Sequence, residues 1–372
     1  MLKVLLAGGG SAGHINPALS IAKVIKEKIK DADIRFVGTE YGLEDKLVPK
    51  EGFQLYHIDV RGFKRQLTLE NFKILFKAAG AISQSKKIIK EFKPDVVIGT
   101  GGYVSGPVLY AAAKSKIPTL IHEQNAFPGL TSKILSRFVD KIMISFEESR
   151  DYFKIKDKEK FIFTGNPVRP DFIGVNKEIA KEKLSLSDKK AVLSFGGSQG
   201  ARCINNVMSD IFIDYKDEKD ITFIHGYGKF GASTIPEKLK NAGINEKDNE
   251  NIRVSEYIYN MEEVMAAADL IICRSGAITM TELGMLSKAA ILIPSPVVAN
   301  DHQTYNARAF EKKGGAVVIL EKEVTAISLY KTIKDLINDE EGLLKMGENA
   351  KKCINVNANN DIYDVIMKTM KK

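Results

Sequence analysis

The sequence predicts an α/β protein of two halves, each a parallel sheet flanked by helices. Short apolar runs alternate with helical patterns along almost the whole chain, which implies right-handed βαβ crossovers. A strand–glycine turn–helix pattern occurs twice, in LKVLLAGGGSAGHINP at 2–17 and again at 191–213. At 372 residues the chain exceeds one ordinary core, so two domains are expected. Ligands of such sheets bind beyond the carboxyl ends of the strands, which predicts a site where both halves face a cleft.

The first element is a buried strand formed by Leu2, Val4, Leu5, Leu6 and Ala7, and Gly8, Gly9 and Gly10 follow it. A glycine turn entering a helix exposes backbone N–H groups and the positive end of the helix dipole, a setting for phosphate. A helix is expected over 18–30, strands at 34–38 and 53–60, a long helix over 69–92 and a strand at 95–99. A second glycine turn, GTGGYVSGP, fills 99–107. Strands at 119–122, 141–146 and 161–164 close the half, and the last exits into GNPVRP at 165–170. A polar, lysine-rich connection leads to the second half, with strands at 191–195, 221–225, 252–257, 270–273, 290–293 and 316–320. The implied division is an N-terminal domain over 1–167, a connection over 168–190, a C-terminal domain over 191–350 and a terminal helix over 351–372.

Composition narrows the class. A hydrophobic fraction of 44% with 27% charged residues describes a folded, water-soluble chain. The net charge of +8 suggests an acidic partner: a phosphorylated substrate, an anionic membrane or nucleic acid. No recognised nucleic-acid motif appears. Three scattered cysteines lack metal-ligand spacing and fit a reducing compartment. The first apolar run is too short for a signal peptide, and no window approaches the ~20 apolar residues of a spanning helix.

The motifs admit competing chemistries. Gly8, Gly10 and Gly13 fit the dinucleotide fingerprint, for which Glu40 is the candidate ribose acid. That reading is an NAD(P)-dependent oxidoreductase. His14, directly after the last glycine, is the best general-base candidate, with His122 and Glu123 as alternatives or as anchors of the loop through Asn125. Gly196 to Gly200 also match G-x-S-x-G, with Asp301 and His302 as possible partners of Ser198 in a hydrolase, although that leaves the first half without a role. Ser275 and Gly276 open a helix whose amides at Ala277, Ile278 and Thr279 suit a pyrophosphate, and Glu282 suits two ribose hydroxyls. Gln303 and Asn306 share one face of a helix, and Arg169 suits a phosphate or a hinge ion pair. The basic, partly aromatic segment 62–90 reads as a membrane-surface patch or as an amphipathic helix lying on its sheet.

In combination, GGGSAGH (8–14), GTGGYVSGP (99–107), HEQN (122–125), GNPVR (165–169), GGSQGAR (196–202), CRSGAITMTELG (273–284) and DHQTYNA (301–307) resemble the MurG family. These are UDP-N-acetylglucosamine transferases that convert undecaprenyl-linked lipid I into lipid II for peptidoglycan synthesis. The resemblance implies a GT-B fold, two Rossmann-like parallel-sheet domains facing a cleft, and an inverting reaction that needs no metal or other cofactor. It places Ser198 on the donor diphosphate, Ile258 at the uracil, Ala277, Ile278 and Thr279 on phosphate, Glu282 on ribose and Gln303 on the sugar hydroxyls. Ser11, Ala12, Gly13, Asn125 and Arg169 match the remaining donor-site positions, and His14 matches the histidine near the acceptor hydroxyl. Set beside the glycine turn at 196–200 and the helix start that carries Glu282, the first loop is better read as facing the acceptor's pyrophosphate. The implied partners are UDP-GlcNAc, lipid I and an anionic membrane surface on the cytoplasmic side, held peripherally through 62–90. The sequence departs from the family at Ser11-Ala12-Gly13 and at Val297 to Asp301. A related GT-B transferase acting on diacylglycerol and a non-catalytic nucleotide-sugar module are the other readings.

Overall fold

Strand β1 (Lys3–Gly8) is the centre of the first sheet, and its alternation decides both cores. Leu5 and Ala7 enter one core with Val97, Val108 and Ile121, while Val4 and Leu6 enter the other with Ile21, Ile25 and Phe36. A strand buried on both faces is the signature of a parallel sheet covered by helices. The computed structural model describes residues 1–62, 70–244 and 249–371, and at 70–76 and 78 it describes the backbone course alone.

The elements of the first unit, in order, are β1, α1 (Ala12–Lys28), β2 (Asp33–Gly38), α2 (Glu44–Lys50), β3 (Gln54–His57), α3 (Glu70–Phe92), β4 (Val96–Gly101), α4 (Gly102–Lys114), β5 (Thr119–Glu123), α5 (Leu130–Leu135), β6 (Lys141–Ile144) and β7 (Phe161–Phe163). All strand pairs are parallel, in the order β3-β2-β1-β4-β5-β6-β7. The direction of winding reverses between β1 and β4, so both N-terminal glycine turns lie at the switch point, where α/β sheets take ligands.

The second unit runs through α6 (Lys177–Lys183), β8 (Lys190–Phe195), α7 (Arg202–Asp214), β9 (Ile221–Gly226), α8 (Gly228–Gly231), α9 (Ile235–Asn241), β10 (Ile252–Ser255), α10 (Met261–Ala267), β11 (Leu270–Cys273), α11 (Ala277–Met285), β12 (Ala289–Leu292), α12 (His302–Lys312), β13 (Val317–Val318), α13 (Ala326–Ile337) and α14 (Glu340–Lys352). Its parallel sheet has the order β10-β9-β8-β11-β12-β13. The switch point lies between β8 and β11, the strands that carry the two remaining glycine turns.

The compact units are Met1–Val168 with Asn355–Lys372, and Arg169–Ile354. The final helix, α15 (Ala358–Met370), therefore belongs to the first unit, where Ile362, Val365 and Ile366 join the core beside α1. The polar stretch expected as a connection packs with the second unit, since α6 lies on α10.

Local boundaries differ from the sequence reading in informative ways. Helix α1 begins at Ala12, so His14 stands in its first turn and Pro17 in its second. Extended Ser11 (φ −150°) is its N-cap, which confines the turn to Gly8–Gly10. The expected glycine turn at 99–107 is mostly the start of α4, because Gly101 (φ +106°) ends β4 and Gly102 already opens the helix. Helix α2 has no counterpart in the predicted elements. Of the segment 62–90, residues 63–69 lie outside the described residues, as do the side chains of Phe72, Lys73, Leu75 and Phe76. In the remainder, Ala81, Ile88 and Ile89 are core, Lys86, Lys87 and Lys90 are exposed, and Lys77 Nζ pairs with Asp59 at 2.7 Å. For that half the amphipathic-helix reading describes the packing.

Candidate functional site

In the first unit the site is built around His14. The β1–β4 ladder pairs Ala7 with Gly99 but Gly8 with Gly101, leaving Thr100 as an extra residue in a β-bulge. Thr100 turns its carbonyl and its hydroxyl to His14. Its carbonyl oxygen lies 3.1 Å from His14 Nδ1, and its Oγ1 donates to the His14 carbonyl at 2.7 Å. A carbonyl can only accept, so Nδ1 carries a proton, which leaves the lone pair of the neutral ring on Nε2. The histidine is held in the tautomer that a general base needs.

The glycines beneath it are steric requirements. A Cβ on Gly101 would stand 2.7 Å from His14 Nδ1, and one on Gly102 would stand 2.1 Å from the Gly9 carbonyl oxygen. Both residues have positive φ, +106° and +77°. A Cβ on Gly8 would meet Thr100 Oγ1 at 2.1 Å. Ser11, Ala12 and Gly13 are exposed at the start of α1, which has neither a side-chain cap nor an acidic residue in its first turn. That leaves an electropositive helix end.

Asn125 lies beyond β5, two strands from β1. Buried Glu123 holds it, accepting from Asn125 N at 3.2 Å, Asn125 Nδ2 at 3.4 Å and Gly129 N at 3.1 Å. His122 is fully buried, with Nε2 3.0 Å from the Gly165 carbonyl and Nδ1 3.0 Å from Gln124 Nε2. Burial lowers its pKa to about 4, so it is a neutral anchor. Glu40, the candidate ribose acid of a dinucleotide site, is exposed. The buried acid near the first loop is Glu44, and it accepts from the loop's own Gly10 N–H at 3.1 Å.

In the second unit, β8 runs into Gly196–Gly200 and then α7. Gly200 (φ +80°) packs so closely on Tyr227 that a Cβ would stand 2.0 Å from its carbonyl oxygen. Gly197 (φ +86°) has open space on its Cβ side, and Ser198 beside it is exposed. Helix α7 has no side-chain cap and no acid in its first turn, which instead begins with Arg202. Helix α11, entered through Gly276, is likewise uncapped and free of first-turn acid, which places the amides of Ala277, Ile278 and Thr279 at a positive helix end. Ile258 is buried against Gly226, the last residue of β9.

Glu282 stands in the second turn of α11, buried, and Arg169 reaches its Oε1 with Nε at 3.2 Å and Nη2 at 3.0 Å. Burial raises the Glu282 pKa, and the guanidinium opposes that shift. Arg169 also stacks over Phe172, 4.6 Å from the ring centre. The loops after β11 and β12 are tied together. Ser275 Oγ donates to the Gln303 carbonyl at 2.8 Å, Gln303 Oε1 accepts from Ser295 N at 2.9 Å, and Asn306 Nδ2 donates to the Ser275 carbonyl at 3.1 Å. Arg274, which the sequence reading passed over, braces the same loops from the carbonyls of Ile293 and Pro294, both at 3.0 Å. The hydrolase partners are engaged locally: His302 Nδ1 meets the Ala299 carbonyl, and Asp301 accepts from Thr304 Oγ1. Among the described residues no group of three or more His, Cys, Asp or Glu could hold a metal.

Comparisons with known proteins bear on both units. Residues 4–144 match the model of the glycosyltransferase family 28 N-terminal domain, and residues 191–365 match that of the family 28 C-terminal domain. The chain is 47% identical over 371 residues to a protein of Acetivibrio thermocellus named UDP-N-acetylglucosamine–N-acetylmuramyl-(pentapeptide) pyrophosphoryl-undecaprenol N-acetylglucosamine transferase, covering 100% of this chain and 99% of that one. A protein of the same name from Thermoanaerobacter sp. strain X514 is 51% identical over 367 residues, covering 98% and 99%. Among solved structures, Acinetobacter baumannii MurG superposes with a TM-score of 0.80 at 29% identity, covering 99% of this chain and 100% of that one.

Proposed function

The chain belongs to glycosyltransferase family 28, and from that membership we infer its chemistry. It transfers N-acetylglucosamine from UDP-N-acetylglucosamine to the N-acetylmuramyl sugar of pyrophosphoryl-undecaprenol-linked lipid I, releasing UDP. The observation that carries this reading is near-half identity, over essentially the full length, to transferases of that name. It accounts for two glycine-turn sheets in one chain, which a dinucleotide oxidoreductase does not require.

The second unit takes the donor. Ser198 and the start of α7 bind the diphosphate together with the amides of Ala277, Ile278 and Thr279. Two helix ends without first-turn acids stabilise the charge that develops on the leaving UDP, as an oxyanion hole does. Ile258 gives the uracil an apolar contact. Glu282, with Oε1 occupied by Arg169, offers Oε2 to the ribose hydroxyls, and the Gln303 amide N–H groups meet the sugar.

The first unit takes the acceptor. Ser11, Ala12 and Gly13 receive its pyrophosphate at the start of α1, while Asn125, beyond β5, stays assigned to the donor. His14 Nε2 removes the proton from the C4 hydroxyl as that oxygen attacks the anomeric carbon. The C–O bond to the diphosphate breaks in line, giving inversion to a β-1,4 linkage. Radiolabelled UDP-GlcNAc incubated with lipid I should give labelled lipid II and UDP in equal amounts. UDP-GlcNAc binding without label transfer would leave a nucleotide-sugar module, and transfer to diacylglycerol alone would identify the related transferase.

The acceptor's lipid tail places the enzyme at the cytoplasmic face of the cell membrane. No helix among the described residues is long and apolar enough to cross a membrane. Contact with anionic lipid runs through 62–90 and continues onto α5, which neighbours α4 as α4 neighbours α3. There Leu130, Ile134 and Phe138 are exposed beside Arg137 and Lys114. Leu130→Glu with Ile134→Glu should weaken binding to phosphatidylglycerol vesicles at least fivefold in a flotation assay. Unchanged flotation would remove α5 from the contact.

A further inference from the structure

Glu44 is the first residue of α2 and is completely buried. Its Oε1 accepts from Thr39 N at 3.1 Å and Thr39 Oγ1 at 2.8 Å, and its Oε2 accepts from Gly10 N at 3.1 Å. These three donors are all neutral. Together they hold both carboxylate oxygens in one orientation. The backbone around it is shaped to admit the group. A Cβ would stand 2.7 Å from the Glu44 side chain at Gly9, 2.5 Å at Gly38 and 2.3 Å at Gly42. Three glycines thus make room for one side chain, two of them for its carboxylate.

The carboxylate acts on the peptide between Gly9 and Gly10. Its Oε2 holds the Gly10 N–H, while the Gly9 carbonyl on the same peptide faces the α carbon of Gly102. The turn containing Gly102 also contains Thr100, which holds the imidazole of His14. Ser11, the N-cap of the helix that carries His14, follows Gly10 directly. Glu44 therefore fixes the orientation of a peptide that touches both supports of the histidine. It also occupies the Gly10 amide, which in a dinucleotide-binding loop would face the ligand.

We propose that Glu44 is a positioning residue for glycosyl transfer, setting the Gly9–Gly10 peptide so that His14 Nε2 meets the acceptor hydroxyl. This inference rests on His14 as the base. In Glu44→Gln one acceptor oxygen becomes a donor that faces either Gly10 N–H or Thr39, so the loop shifts while the volume stays constant. A double-mutant cycle separates positioning from general destabilisation. Glu44→Gln should lower kcat 10- to 100-fold with the KM for UDP-GlcNAc within twofold of wild type. In a His14→Ala background it should lower kcat less than twofold further, because the group it positions is gone. An equal fractional loss in both backgrounds, or an unchanged kcat in the single variant, overturns the proposal. Full activity in His14→Ala alone overturns the base assignment instead, so the two failures are distinguishable. Should Glu44→Gln not fold, Thr39→Val removes one donor isosterically, and its smaller loss of three- to tenfold must likewise vanish in the His14→Ala background.

Discussion

His14→Ala lowers the turnover of labelled UDP-GlcNAc into lipid II by about 10²–10⁴-fold, the usual weight of a general base, while UDP affinity stays within about threefold in a direct titration. The split follows from where the residue sits. His14 belongs to the first unit, with its imidazole held by Thr100, while the residues assigned to UDP belong to the second. His14→Gln should be no better, since its amide N–H can satisfy Thr100 but its oxygen is too weak a base to take a proton. Wild-type turnover in either variant would remove His14 from the chemistry.

Glu282→Gln raises the KM for UDP-GlcNAc roughly 10- to 150-fold, corresponding to the about 1.5–3 kcal/mol carried by hydrogen bonds to a charged group. The substitution keeps the shape but removes the charge that both Arg169 and the ribose would use. Arg169→Ala gives a complementary signature. Without the guanidinium, burial pushes the Glu282 pKa higher still, because the opposing influence is lost. The carboxylate is the form that accepts from two hydroxyls, so donor affinity falls as pH drops through that pKa. In Arg169→Ala the fall begins at higher pH than in wild type. Affinity profiles measured from pH 5 to 9 check this, and superimposable profiles would detach Glu282 from the ribose.

Both sheets were legible in the sequence because their evidence is local. An apolar run followed by glycines and an amphipathic pattern states a strand, a turn and a helix within some 20 residues. The motifs that signalled the family lie in single short segments, and His14, Ser198 and Glu282 could each be singled out as candidates that way. Helix boundaries were less legible where glycine is common. Both Gly13 and Gly102 read as turn residues, yet both lie inside helices, because a glycine before each helix or the extended Ser11 does the turning.

Local patterns along the chain were enough to establish the two α/β halves, the strand ends that carry glycine turns, and the family whose motifs fill those ends. Tertiary structure alone decided which groups meet. Thr100 reaches His14 across 86 residues, Glu44 reaches Gly10 across 34 and Arg169 reaches Glu282 across 113. None of these pairs has a spacing that a helix or strand period could reveal. It also decided that α15 packs beside α1, although a whole unit separates them along the chain. An amphipathic pattern states that a helix has a face to bury, and only the packed chain states which sheet receives it.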